Sequence, residues 1–193
     1  MSAAVKKRRI CVLGSRSVGK SALVVQYVEG HFIEPYFPTI ESIVFKNVTW
    51  NGENYEFEII DTAGQDEYSM LSSRHAIGIH GFILVYSVAS RPSFEMLRAV
   101  HDKILNYHGV SQVPCVIVGQ KSDLPEKKLA PRQVTPQEGQ ALAKELHAAW
   151  IETSASSNVN VAKVFDLLLQ EVEQQYGAKP ENAAAPENKC TIM

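Results

Sequence analysis

Long apolar runs, cysteines and a surplus of either charge are all scarce in this chain of 193 residues. No stretch approaches the roughly 20 consecutive apolar residues that a bilayer-crossing helix needs, so the sequence offers no candidate span. The formal net charge is −2, which gives no argument for a nucleic-acid partner, whose binders carry a strong basic excess. The three cysteines, Cys11, Cys115 and Cys190, make an odd count, and the first two sit in apolar runs. That pattern excludes a disulfide framework and leads to the expectation of a reduced, intracellular setting. The apolar run after Lys6-Lys7-Arg8-Arg9 is too short for a signal peptide and reads as a strand. The six histidines lack metal-ligand spacing, Trp50 and Trp150 read as packing residues, and there is no internal repeat.

What the chain does have is an ordinary globular composition, 45% hydrophobic and 21% charged, with length enough for one domain. Its organising stretch is Gly14-Ser15-Arg16-Ser17-Val18-Gly19-Lys20-Ser21, between the apolar run Ile10–Leu13 and the helical pattern Ala22–Val28. Strand, glycine-bounded loop and helix form the context in which G-x-x-x-x-G-K-[ST] denotes a phosphate-binding loop. The glycines let successive N–H groups converge on one anion, and the helix N-terminus adds partial positive charge. Lys20 is expected to reach the β- and γ-phosphates, and the Ser21 hydroxyl to bind Mg²⁺. Asp61 closes an apolar strand and suits a carboxylate that holds Mg²⁺ through water, and Gly64 lets an N–H approach the γ-phosphate.

Residues 1–8 read as a loose arm, 9–176 as the folded domain and 177–193 as a disordered tail. Residues 42–49 and 55–60 form a predicted hairpin around Asn51-Gly52. Gly81–Val88 and Pro114–Gly119 read as buried strands, and Ser90 is positioned to cap a helix reaching about Tyr107. Thr135-Pro136-Gln137-Glu138 predicts a helix start. Ala149–Glu152 reads as a short strand, and Asn158–Tyr176 as a last amphipathic helix. The fold class is therefore α/β, a mostly parallel six-stranded sheet with one antiparallel edge strand and helices on both faces. Its ligand sites are expected at the strands' C-terminal ends.

Five segments stand in the order of the Ras-like small GTPases: Gly14–Ser21, Tyr36–Glu41 (YFPTIE), Asp61–Gln65 (DTAGQ), Gln120–Asp123 (QKSD) and Glu152–Ala155 (ETSA). The chain resembles that family over residues 9 to about 176. Within it, the chain is most similar to the Rheb subfamily, through the Arg16-Ser17 pair, Gly64–Ser69 and Ile83–Val88. The resemblance implies a P-loop G domain that binds GTP and GDP with Mg²⁺ and hydrolyses GTP. It gathers Ser15, Arg16, Ser17, Val18, Gly19, Lys20, Ser21 and Ala22 around the phosphates, with Tyr36, Pro38 and Gly64 beside them. Thr39 would hold Mg²⁺ by its hydroxyl and the γ-phosphate by its N–H. Gln65 would orient the attacking water, with Lys20 and Arg16 completing the catalytic set. Phe32 would pack on the guanine, Lys121 lie along it, Asp123 accept from its N1–H and amine, and the Ala155 N–H meet its O6. Gln120, Ser154 and Ser156 complete the base pocket. Tyr36, Phe37, Pro38, Thr39, Ile40 and Glu41 would form the effector loop, and residues 34–42 and 64–77 the two switch loops.

Several positions depart from the family pattern. Gln120 replaces the usual Asn, and Ser156 the usual Lys; both changes are expected to loosen nucleotide binding without altering its specificity. Phe37 replaces a polar residue in the effector loop, and the 124–134 loop is longer than usual. Arg16 stands where most relatives have Gly, so slow intrinsic hydrolysis and obstruction of an arginine finger are expected. By resemblance the effector is the target-of-rapamycin kinase complex and the negative regulator a tuberin-like activating protein. Cys190-Thr191-Ile192-Met193 fits C-a-a-X, which implies farnesylation of Cys190 by farnesyltransferase. With no polybasic second signal, the expected location is cytoplasmic, weakly attached to endomembranes. Two other readings are a nearly inert GTP-binding module and a P-loop nucleotide kinase; QKSD and ETSA argue against the kinase.

Overall fold

The computed structural model describes residues 5–34, 38–66 and 72–177. Its strands are β1 (Lys6–Leu13), β2 (Ser42–Trp50), β3 (Glu53–Asp61), β4 (Gly81–Ser87), β5 (Cys115–Gln120) and β6 (Ala149–Glu152). They form one sheet in the order β2-β3-β1-β4-β5-β6, in which only β2 runs antiparallel, at the edge. The helices are α1 (Lys20–Glu29), α2 (Arg91–His108), α3 (Asp123–Glu126), α4 (Pro136–Glu145) and α5 (Val161–Tyr176).

The central strand β4 shows why this chain needs two covers. All seven of its residues are buried, and its side chains alternate between two cores. Phe82, Leu84 and Tyr86 join Leu97, Ile104 and Leu142 of α2 and α4 on one face. Ile83 and Val85 join Leu23, Phe165 and Leu168 of α1 and α5 on the other. Period-2 burial on both faces produces the unbroken apolar run seen in the sequence. Cys11 and Cys115 lie wholly inside, unpaired, and burial pushes both thiols up.

Local signals fix several boundaries as expected. Asn51 and Gly52 both take positive φ, 50° and 79°, as a two-residue turn matched to strand twist requires. Thr135 and Glu138 make a reciprocal capping box at α4. Ser90 occupies the α2 N-cap position but makes no side-chain cap; instead Ser93 Oγ donates to its carbonyl at 2.7 Å.

Two boundaries are corrected. The 1–8 arm is too long, because β1 already pairs with β3 from Lys6. Its basic residues and the adjoining Arg9 are all paired: Lys6 meets Glu53 at 2.7 Å, Lys7 meets Glu56 at 2.9 Å, Arg8 meets Glu173 at 2.8 Å, and Arg9 meets Glu58 at 2.9 Å. Strand pairing survives the like charges because each has a carboxylate partner, Glu56 and Glu58 lying directly opposite Lys7 and Arg9 on β3. The last helix starts at Val161, since Asn158 and Asn160 turn left-handed ahead of it and Asn160 Nδ2 donates to the Glu152 carbonyl at 2.9 Å. The 124–134 segment begins within α3 and is pinned: Arg132 grips Glu152 with two hydrogen bonds of 2.6 and 3.1 Å, and Val134 is fully buried.

Candidate nucleotide site

The β1–α1 junction supplies the anion cradle. Gly14 is required there, because a Cβ would lie 2.1 Å from the Val85 carbonyl oxygen and φ is +146°. Gly19, at φ 103°, turns the chain into α1, whose first turn carries no acidic residue and so leaves its N–H groups to an anion. Lys20 is buried and donates to the carbonyls of Gly14 and Ser15 at 3.0 and 2.9 Å, which curls the loop around its own lysine. Burial lowers its pKa to about 8, opposed by the charge of Asp61.

The predicted magnesium ligands converge. Ser21 Oγ lies 2.6 Å from Thr39 Oγ1, and Asp61, itself buried, hydrogen-bonds with the Ser21 hydroxyl. Asp61 Oδ1 has no hydrogen-bond partner among the described residues, and burial raises the carboxyl pKa. Two hydroxyls beside an orphaned carboxylate oxygen form a hard-oxygen donor set that fits a small divalent cation.

A cleft of about 370 Å³ joins these groups, lined by Lys20, Ser21, Thr39 and Gly64 at the phosphate end and by Phe32 and Lys121 further along. Lys121 lies across the loop, with Nζ donating to the Ser17 carbonyl at 2.7 Å. Gly64 packs flush on Arg16: a Cβ there would lie 2.5 Å from Arg16 Cα. Gln65 donates its N–H to the Gly14 carbonyl at 3.0 Å, while the residue lines a neighbouring cleft with Ser15, Asp66 and Met96. The structure therefore brings Gln65 alongside the phosphate loop but does not count it among the residues lining the phosphate cleft.

Beyond Lys121 lies the base pocket. Asp123 is buried, with Oδ1 accepting from Ser154 Oγ at 2.7 Å and Oδ2 from Ser156 Oγ at 2.9 Å. Burial pushes this carboxyl up, but the two hydroxyls, its own backbone N–H and Lys127 together hold it below the usual range. Gln120 is also buried; its Oε1 accepts from the N–H groups of Lys121 at 2.8 Å and Ala155 at 3.2 Å. The Ala155 N–H expected to read a base carbonyl is thus engaged by Gln120.

Two functional contacts escaped the sequence reading. His75, in a 3₁₀ turn (Ser73–His75), hydrogen-bonds through Nε2 to Glu41 of the effector loop, joining the two switch segments. Arg132 braces the ETSA strand through Glu152. No local signal marks either pair, whose members lie 34 and 20 residues apart. Tyr36, Phe37 and Cys190 lie outside the described residues.

Fold and site together define a P-loop nucleotide-binding domain of the small G-domain kind. The profile of the Ras family matches residues 9–174. The chain is 57% identical to the "GTP-binding protein rhb1" of Schizosaccharomyces pombe over 178 residues, 92% of this chain and 94% of that protein. It is 51% identical to the "Small monomeric GTPase RhbA" of Aspergillus fumigatus over the full length of both. Identity to human "GTP-binding protein Rheb" is 43%, covering 97% of this chain and 98% of that one. The chain belongs to the Ras family as a Rheb-like small GTPase, a GTP hydrolase.

Proposed function

We propose that the chain is a slow GTP timer whose GTP state binds effectors, and that its output is the target-of-rapamycin kinase complex and growth control. The observation that carries the slow step is Arg16. Its backbone and side-chain stem abut Gly64, the position expected to offer an N–H to the γ-phosphate, which supports the reading that Arg16 obstructs an arginine finger. Lys20 and the loop amides bind and orient the phosphates, Thr39 and Gly64 sense the outermost one, and Asp123 selects guanine. Ser21, Thr39 and Asp61 would hold Mg²⁺, which when bound neutralises charge gathering on the β- and γ-phosphates. Loss of the γ-phosphate relaxes residues 34–42 and 64–77 and disperses the effector surface. Exposed Ile40, Ile43 and Phe45 support an effector contact along that edge.

On this reading a tuberin-like activating protein switches the chain off. Farnesyltransferase modifies Cys190, and the single lipid holds the protein weakly and reversibly on the cytosolic face of endomembranes. Single-turnover GTP hydrolysis tests the mechanism: a Ras-type activator should leave the rate unchanged, a tuberin-like one should raise it, and Arg16→Gly should restore the Ras-type response. Strong acceleration of the unaltered chain by the Ras-type activator would overturn it. The position of Gln65 in the neighbouring cleft favours a second reading, a nearly inert GTP-binding module. Hydrolysis that stays unmeasurable with the tuberin-like activator would select that one.

A further inference from the structure

The two departures in the base pocket contact the very groups that would read a guanine. Gln120 carries one methylene more than the family's Asn, and its Oε1 sits 3.2 Å from the Ala155 nitrogen, as an acceptor on the donor meant for a base carbonyl. The same reach leaves its Nε2 only a long contact, 3.5 Å, to the Gly19 carbonyl. Across the pocket, the Ser156 hydroxyl donates to Asp123 Oδ2, the carboxylate meant for the base N–H groups. An acceptor and a donor of the protein thus present the pattern of a guanine edge to the pocket.

A count of acceptor sites shows why they compete with nucleotide. A carboxylate has about four lone-pair sites. Ser154, Ser156 and the backbone N–H of Asp123 already draw on this one, with Lys127 Nζ 3.5 Å from Oδ2. Guanine brings two donors, so one protein donor has to leave. Ser154 is buried and makes the shorter bond, 2.7 Å, and its Oγ also accepts from the Ser157 N–H. Ser156 is exposed and bonds at 2.9 Å, so it is the one that yields. On the other side, the base oxygen has to take the Ala155 N–H from Gln120.

We propose that Gln120 and Ser156 are an internal stand-in for the guanine edge, which stabilises the nucleotide-free pocket and makes this GTPase release nucleotide quickly while still preferring guanine. The inference rests on the GTP-binding reading above. The two bonds by which the stand-in engages Ala155 and Asp123 must be exchanged on binding, so there the pocket gains only the difference between the two sets.

Release of fluorescently labelled GDP into excess unlabelled GDP tests it. Gln120→Asn should slow release roughly tenfold, the worth of one net hydrogen bond. The gain should be smaller with the 6-thio analogue of GDP, whose sulfur accepts poorly; a merely structural effect would be equal for both. Ser156→Ala, at an exposed position that tolerates truncation, should slow GDP release several-fold, roughly threefold or more. In melts, each variant should be less stable than the parent without nucleotide and more stable with saturating GDP. Release that is unchanged or faster overturns the assignment for that residue, as does a Gln120→Asn gain equal for GDP and its 6-thio analogue. A parent chain that holds no GDP, or yields it to ATP, would instead sink the GTP-binding reading.

Discussion

Burial of Lys20 weakens its charge while it fixes the amine where a phosphate would sit. Its amine is held near two carbonyls, with a pKa of about 8 rather than that of a free lysine. A polyphosphate placed against it favours the charged form and raises that value again. Nucleotide binding should therefore take up close to one proton at about pH 8.5 and almost none at about pH 7. Calorimetry in buffers of different ionisation enthalpy reads this directly, and equal uptake at both values would refute it. His101 is shifted in the same direction, and its effect appears in folding. It is buried on α2 with neither ring nitrogen hydrogen-bonded among the described residues, and burial lowers its pKa, with His147 adding and Asp102 opposing. The unfolded chain thus binds the proton more readily than the folded one. The stability His101 contributes is present above its unfolded value, about 6.5, and is lost as pH falls through the lower folded value. Urea midpoints should drop from about pH 7.5 to about pH 5.5, and His101→Leu should flatten that slope; an unchanged slope would remove His101 as the cause.

At the scale of elements, legibility followed the range of the interaction that fixes each boundary. The phosphate loop, the Asn51-Gly52 turn and the α4 capping box announce themselves because their determinants lie within a few residues. The start of β1 does not, since Arg8 is neutralised by Glu173, 165 residues away. The 124–134 loop stayed mute for the same reason: its anchor, Glu152, is in another strand. In the site, motif spacing pointed to Lys20 and Ser21 and the family resemblance to Asp123, whereas the engagement of Ala155 by Gln120 depends on a side-chain reach that residue types do not encode. The α5–β4 contact shows how much such long-range packing carries. Leu168 is fully buried, and its Cδ1 would come within 2.9 Å of a Cβ on Gly81, so helix and strand meet without a gap. Leu168→Ala should cost about 2–5 kcal/mol, because a site packed this closely collapses poorly. Urea unfolding at fixed nucleotide concentration measures it, and a loss below about 1 kcal/mol would mean that the helix shifts to close the cavity.

For the whole molecule, the sheet order gathers separate loops into one candidate site. The segments after β1 and β3 carry Lys20, Ser21 and Gly64, expected at the phosphates, while those after β5 and β6 carry Lys121, Asp123 and Ala155. All four leave the C-terminal ends of parallel strands, so they open on one rim. A nucleotide that spans the rim ties together elements more than a hundred residues apart, binding the folded chain and not the unfolded one. Its free energy then appears as stability, by about 2.7 kcal/mol at a hundredfold excess over Kd. For a domain of this size that should raise Tm by roughly 5–10 °C. GDP should produce the shift and ADP should not, because the carboxylate of Asp123 accepts hydrogen bonds but offers none to adenine's ring nitrogen. Asp123→Asn, which replaces one acceptor oxygen by a donor, should narrow the difference between the two nucleotides while leaving the phosphate cradle intact. Scanning calorimetry at equal concentrations of the two nucleotides, set at a hundredfold excess over the Kd for GDP, separates the cases. Equal stabilisation by GDP and ADP in the unaltered chain would mean that the β5 and β6 loops read no base, leaving the phosphates alone to account for the binding.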